Sequence, residues 1–432
     1  MALHGAQAPA RPGPLAAPTG RSPASHGIRI EASARIRLAR MLCGLAVFLL
    51  PACIIATPWG LAPFVALIVP AMLLAPDLMR AAWRPSRAMV VPLLLLAACV
   101  AAVALASKLA SDVPWNEVDN RARVLVTPLF ALAVVALRPE RTWLWAGAVL
   151  GVLAACAVVL LERLGGLPRP GGWTNPIVFA DVALGLMVVV TFCRPHRRAG
   201  WVVVALLAGA AAVLLTGSRG AWPGLAVIAV VALLAGGWRV RFPPWLWLLF
   251  ACLLSVVAWF SAPLVLSRMD ALQRDAARYD TGDVNSSLGV RLDLVSAADD
   301  AFLAHPWLGV GVGNFGGYLE TTPDCVESPT AFCRFDHAHS DLPEWAATMG
   351  IPGLLAILAL YGVPLLLFAR RLRGAGRCSA SAPCAGVLFV ATFALCGLTQ
   401  SMFAHQLSAS FYAVMVGLLA GFCMTGRVGE RT

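Results

Sequence analysis

Asp336-His337-Ala338-His339-Ser340-Asp341-Leu342-Pro343-Glu344-Trp345 lies just ahead of an apolar run from Met349 to Ala369. These ten residues hold two of the chain's seven histidines, three acids and a hydroxyl. The apolar run has roughly the 20 residues that a helix needs to cross about 30 Å of hydrocarbon. A long polar segment, about Pro263 to Leu342, comes before it. The stretch therefore marks a boundary between water and lipid, and so many ionisable groups at such a boundary need a chemical reason. We read a catalytic site there, with histidine as the base.

Composition extends the membrane reading to the whole chain. Of 432 residues, 59% are hydrophobic and 13% charged, and the mean hydropathy is +0.79. Soluble domains carry about 25% charged residues. An outer-membrane barrel would show segments of about ten residues with alternating polarity, whereas the apolar runs here are about twice that long and do not alternate. The expected fold is all-α and polytopic. Twelve spans can be drawn, at 41–57, 59–76, 88–107, 121–137, 142–161, 177–193, 200–216, 220–236, 244–262, 347–369, 383–401 and 406–424. Only Pro58 separates the first two, which could instead form a hairpin that crosses incompletely. This divides the chain into a disordered basic tail (1–40), spans one to nine (41–262), a large loop with amphipathic helices (263–346), spans ten to twelve (347–424) and a short tail (425–432). The first 27 residues, rich in Pro, Ala, Gly and Ser, read as disordered. They do not read as a signal peptide, because the apolar run begins only at Met41.

The net charge of +11 invites a nucleic-acid reading, but its distribution opposes one. When the spans are threaded in alternation, one side receives 22 of the 33 Lys and Arg residues and only four of the 22 acids. Arg80, Arg84 and Arg87 are on that side, as are Arg194, Arg197 and Arg198, and Arg370, Arg371, Arg373 and Arg377. This is the positive-inside bias, with both termini cytoplasmic and the large loop outside.

Three elements on the outer side can carry chemistry. The first is the tight connection Gly217-Ser218-Arg219-Gly220. Arg219 there can snorkel to lipid headgroups or offer its planar fork of donors to a phosphate. The second is a helix beginning near Ser287, on which Arg291, Val295, Ala298 and Phe302 share one face. Arg291 would turn inward with these apolar neighbours, unless a loop acid pairs with it. The third is the pair His337 and His339, with Asp336 and Glu344 as supporting carboxylates able to fix an imidazole tautomer. Ser340, alternatively, only caps the helix that follows. Cys325 and Cys333 in the large loop are expected to form a disulfide in an oxidising compartment. The glycines of His305-Pro306-Trp307-Leu308-Gly309-Val310-Gly311-Val312-Gly313 read as structural, since no βαβ context surrounds them. No metal-ligand spacing stands out.

Taken in order, these motifs resemble the O-antigen ligase and polymerase superfamily: Gly-Ser-Arg-Gly between two spans, an arginine-bearing helix followed by the glycine run, then His337-Ala338-His339-Ser340-Asp341 before Met349-Gly350-Ile351. The motif resemblance covers about residues 200–365. The family usually has Asn where this chain has Ser340, which weakens a role for that side chain but not for His339. The resemblance implies a metal-independent glycosyltransferase of the GT-C type at the periplasmic face of a bacterial inner membrane. Its substrates would be an undecaprenyl-pyrophosphate-linked O-antigen and lipid A–core. Arg219 and Arg291, supported by Ser218, would bind the pyrophosphate, and His339 or His337 would deprotonate the acceptor hydroxyl. A ligase is expected ahead of an O-antigen polymerase. An O-linked oligosaccharyltransferase is expected least, as Thr432 follows span twelve closely. From another class, a transporter of a lipid-linked anion would place ionisable groups nearer the midplane, where Asp181 is the main candidate.

Overall fold

The computed structural model describes residues 23–111, 113–195, 199–235, 287–327, 331–374 and 381–425, with residues 266, 267, 270, 273 and 274. The ninth expected span, 244–262, lies outside the described residues. Those described are helical, with no strand among them.

The helices are α1 (Pro23–Cys53), α2 (Ala62–Leu73), α3 (Pro76–Ala110), α4 (Trp115–Ala122), α5 (Thr127–Leu137), α6 (Arg141–Leu164), α7 (Pro176–Phe192), α8 (Ala199–Leu215) and α9 (Trp222–Ala235). After them come α10 (Ser287–Ala304), α11 (Phe315–Leu319), α12 (Pro323–Glu327), α13 (Asp341–Arg373), α14 (Ser381–Gly397) and α15 (Gln406–Thr425). Among the described residues, six stretches are long and apolar enough to cross a membrane: Ala34–Cys53, Pro76–Ala110, Trp115–Leu137, Arg141–Leu164, Asp341–Arg373 and Gln406–Thr425. Shorter apolar helices stand at five further expected spans. The chain is thus a helical membrane protein.

Several boundaries differ from expectation for local reasons. The polar stretch 77–87, expected as a connection, is the first part of α3, which begins on Pro76 in its first turn. Span four is broken by a 3-10 turn at Arg123–Val126, ahead of Pro128. The first two spans do form a hairpin, and α2 has only 12 residues, about 18 Å of rise. In α13, Gly350 adopts φ 65 and ψ −156, so the helix is broken there.

Two hydrophobic cores result. The larger one lies inside the bundle, where α5 packs on α3 and α15, α6 on α1, α7 and α8, and α14 on α7 and α13. The smaller one forms a cap beside the first turns of α13. It joins Val290, Leu294, Ala298 and Ala301 of α10 to Phe315, Leu319, Phe332 and Ala338. The buried face of α10 is therefore 290/294/298/301 rather than 291/295/298/302. Arg291 sits at the edge of that face and is only partly buried.

The break in α13 fastens the cap to the bundle. It frees the carbonyls of Ala347 and Thr348, which accept from Val310 N (2.9 Å) and Gly311 N (3.2 Å), while Ile351 N donates to Pro306 O at 2.7 Å. Ser107 Oγ donates to both Leu308 O (3.1 Å) and Thr348 O (3.0 Å), tying α3 to the same seam. Gly309 and Gly350 both have positive φ, and a Cβ on either would run into the other strand of this seam. Glycine is required at both.

Candidate active site

The connections expected on the outer side converge at one end of the bundle. Trp173 Nε1 reaches Ile55 O at 3.1 Å, Ser218 Oγ reaches Pro176 O at 3.0 Å, and Asn120 Nδ2 reaches Ala404 O at 3.0 Å. A Cβ on Gly220 would meet Thr399, so the arginine turn and the 398–405 turn are in contact.

His339 is held in the left-handed region, with φ 53, a conformation that is costly for a residue with a Cβ and that gathers at functional sites. Its Nδ1 lies 2.7 Å from Gln400 Oε1. Gln400 Nε2 lies 2.8 Å from His405 Nε2. The His337 ring meets His339 edge to face at 4.3 Å between centroids and His405 at 5.2 Å. Phe335 closes the other side of His339 at 5.0 Å. Three histidines and one amide thus form a single cluster.

Burial dominates the electrostatics of these rings. It pulls His337 down to about 3, with the His339 and His405 rings adding to the effect. It pulls His405 down to about 4, helped by His339 and the Arg121 guanidinium. His339 is also lowered, first by burial; the Gln400 hydrogen bond opposes the shift and the Arg291 charge reinforces it. His337 and His405 are thus neutral near pH 7, burial favours the neutral form of His339 as well, and a neutral ring has one nitrogen free to accept a proton.

From the cap side, the Arg291 charge acts on His339. Burial and the neighbouring Arg219 and Arg169 guanidiniums pull the Arg291 pKa below the ordinary value. Arg169 sits exposed on the 165–175 connection. That loop is fastened where Glu162 Oε2 accepts from Gly171 N and Gly172 N, both at 2.9 Å. Three arginines from three connections therefore share one field beside His339.

The carboxylates bond elsewhere than to the histidine rings. Asp336 is exposed, and no carboxylate among the described residues is hydrogen-bonded to a histidine ring. Asp341 faces the bundle, where Tyr361 donates to it at 2.7 Å. Glu344 is 1% exposed and accepts from Ala338 N at 2.7 Å, gripping the peptide between the two histidines. Its other oxygen stands 3.5 Å from Arg121, a charge pair rather than an aligned hydrogen bond. Arg121 is 1% exposed and also pairs with Glu117 at 3.2 Å. Ser340 occupies the cap position of α13, but its hydroxyl reaches Gly397 O at 3.4 Å instead of a first-turn N–H. Ser218 is buried, and its hydroxyl donates to Pro176 O, which fastens the turn to the start of α7. Cys325 and Cys333 are bonded, with Cα atoms 5.6 Å apart. Asp181 is buried in α7 against the Cys396 thiol.

Residues 202–358 match the family model described as O-antigen ligase. This region belongs to the O-antigen ligase superfamily. The superfamily comprises glycosyltransferase-like ligases and polymerases. The chain is also similar to an uncharacterized protein of Haemophilus influenzae, with 21% identity over 308 residues, 69% of this chain and 77% of that one. The O-antigen ligase match takes in Arg219, Arg291, His337, His339 and Glu344.

Outside the match lie Arg121, Arg169, Gln400 and His405, none of which stood out in the sequence. His405 and Arg169 had a usable signal, since each lies in a connection assigned to the same side as His339. Arg121 and Gln400 fall at the edges of the expected spans four and eleven, where a polar residue reads as a boundary.

Proposed function

We propose that the protein is an O-antigen ligase. It transfers the glycan of an undecaprenyl-pyrophosphate-linked O-antigen to a sugar hydroxyl of lipid A–core at the periplasmic face of the bacterial inner membrane. The supporting observation is a half-buried His339 whose Nδ1 is engaged by Gln400 while Arg291, itself in the field of Arg219 and Arg169, acts on the same ring. A proton acceptor beside an anion-binding field is what a glycosyl transfer from a pyrophosphate needs.

In this scheme the acceptor hydroxyl gives its proton to His339 Nε2 as its oxygen attacks the anomeric carbon. The bond from that carbon to the phosphate oxygen breaks, and undecaprenyl pyrophosphate leaves with the electron pair. Arg219 and Arg291 take up the charge that grows on the leaving oxygen, which removes the need for a divalent metal. A single displacement of this kind inverts the anomeric centre. The positive-inside bias supports an orientation with this end of the bundle outside and both termini in the cytoplasm.

The test is purified protein with undecaprenyl-pyrophosphate-linked glycan and lipid A–core in detergent, in EDTA. Glycan on lipid A–core, with a loss of roughly 10²–10⁴-fold in His339→Ala, is the expected result. Lengthening of the glycan on its carrier would instead make the protein a polymerase. Carrier moved across a vesicle with no covalent transfer would sink the enzyme reading.

A further inference from the structure

Gln400 has no contact with substrate in the scheme above, yet it is fully enclosed, with 0% exposure, and its amide joins two histidine rings. We infer that Gln400 is a positioning residue that fixes His339 as the tautomer protonated on Nδ1. This rests on His339 being the base.

The argument is one of donors and acceptors. An amide accepts only at its oxygen and donates only at its nitrogen. With Oε1 toward His339 Nδ1 at 2.7 Å, the imidazole carries its proton there and presents a lone pair on Nε2. With Nε2 of the amide toward His405 Nε2 at 2.8 Å, His405 must offer a lone pair at that atom and hold its proton on Nδ1. Reversing the amide would set an NH₂ group against His339 Nδ1, drive the ring proton to Nε2 and leave no lone pair on the reacting side.

The surroundings keep the arrangement in place. Gln400 N donates to Cys396 O at 3.0 Å, and Ser401 Oγ donates to Ser340 O at 3.4 Å, binding the turn to the histidine segment. The charged side chains that act on the three rings are arginines. Arg291 acts on His339 from α10, and Arg121 acts on His405 and His337 from α4. Glu344 is occupied by Arg121 and Ala338 N, and Asp336 is exposed. A carboxylate could also set the tautomer, as it does in other base–orienter pairs. Beside an anionic donor, however, it would add like-charge repulsion. A neutral amide sets the tautomer without that cost.

The experiment compares wild type with Gln400→Leu, Gln400→Glu and His405→Leu in the transfer assay across the acid pH range. Gln400→Leu should lower kcat by roughly 10–100-fold, as losses of a ring-orienting hydrogen bond do elsewhere, with KM for the lipid-linked donor little changed. Gln400→Glu should recover much of that loss above neutral pH and move the acid limb to higher pH, because a carboxylate on Nδ1–H stabilises the imidazolium. His405→Leu should show a smaller loss with no move of the limb. Wild-type kcat in Gln400→Leu, or an unmoved limb in Gln400→Glu, overturns the inference. His339→Ala in the same assay separates the two claims: full activity in that variant ends the base reading, whereas its inactivity beside an active Gln400→Leu ends only the positioning role. Should the Gln400 variants fail to fold, ¹⁵N-histidine spectra of the wild-type protein, with His339→Ala for assignment, decide the matter. A resting His339 protonated on Nε2 would overturn it.

Discussion

The candidate site has two halves of different construction. The base half belongs to the bundle. His339 is set by the first turn of α13 and by the turn before α15, and Gln400, Glu344 and Arg121 around it are all buried. The anion half is assembled from exposed or partly buried pieces: Arg219 on a tight turn, Arg169 on the α6–α7 connection and Arg291 on α10 of the cap. The cap's own core is small and is closed by one disulfide and a backbone seam. The difference teaches that position is held hardest where a proton moves, since a misplacement of about 1 Å can cost 10²-fold. Charge acts over longer distances and tolerates a looser mount.

Arg121→Met should break the base half most severely. It leaves Glu344 with an uncompensated charge in a buried place, a loss typically of about 3–5 kcal/mol. Thermal stability in detergent should fall accordingly, and the double variant Arg121→Met/Glu344→Gln should recover a good part of the loss. If Arg121→Met melts like wild type, the buried pair is not what holds the histidine turn.

Gly350→Ala attacks the joint between the halves. The residue would have to keep φ 65 with a Cβ directed at the backbone of Pro306 and Trp307. Strain at such a position costs of order 1–3 kcal/mol. Limited proteolysis within 305–313 should speed up while the bundle stays intact; equal cleavage of variant and wild type would count against the seam. Cys325→Ser touches only the cap. Loss of a disulfide closing so short a loop is worth roughly 2 kcal/mol. We expect KM for the lipid-linked donor to rise through a looser Arg291, with kcat much less affected. A fall in kcat alone would mean that the cap also shapes the base half.

The contrast also explains what could be read from the sequence. Long apolar runs and the segregation of arginine announced the bundle, because lipid forces the backbone into helices and leaves hydrophobicity as a long, redundant signal. Arg219 and His339 could be picked out as ionisable groups at span ends, and Arg291 as a charge on an amphipathic helix of the large loop. Their orienters could not. Gln400 is uncharged and lies at the tail of span eleven, and its role exists only because it touches His339 and His405, 61 and 5 residues away along the chain. Three acids beside two histidines suggested a carboxylate as orienter. The structure gives those acids to Arg121, Tyr361 and solvent, because proximity along a chain entering a helix does not fix which face a side chain takes.

The smallest expected effect is on pH dependence, and it sharpens the comparison by coupling the two halves. A general base works only while unprotonated, and His339 has its pKa lowered in the folded protein. As pH falls, the neutral ring therefore survives below about 6.5, the ordinary imidazole value, and activity should persist there and decline only at lower pH. One contributor to the lowering is the Arg291 charge, which a bound pyrophosphate would offset. The acid limb of kcat/KM, which reports the free enzyme, should thus lie at lower pH than that of kcat, which reports the loaded one. Arg291→Gln should bring the two limbs together by moving the kcat/KM limb upward. If both limbs already coincide in the wild type, the guanidinium on the cap and the imidazole on the bundle do not share one substrate.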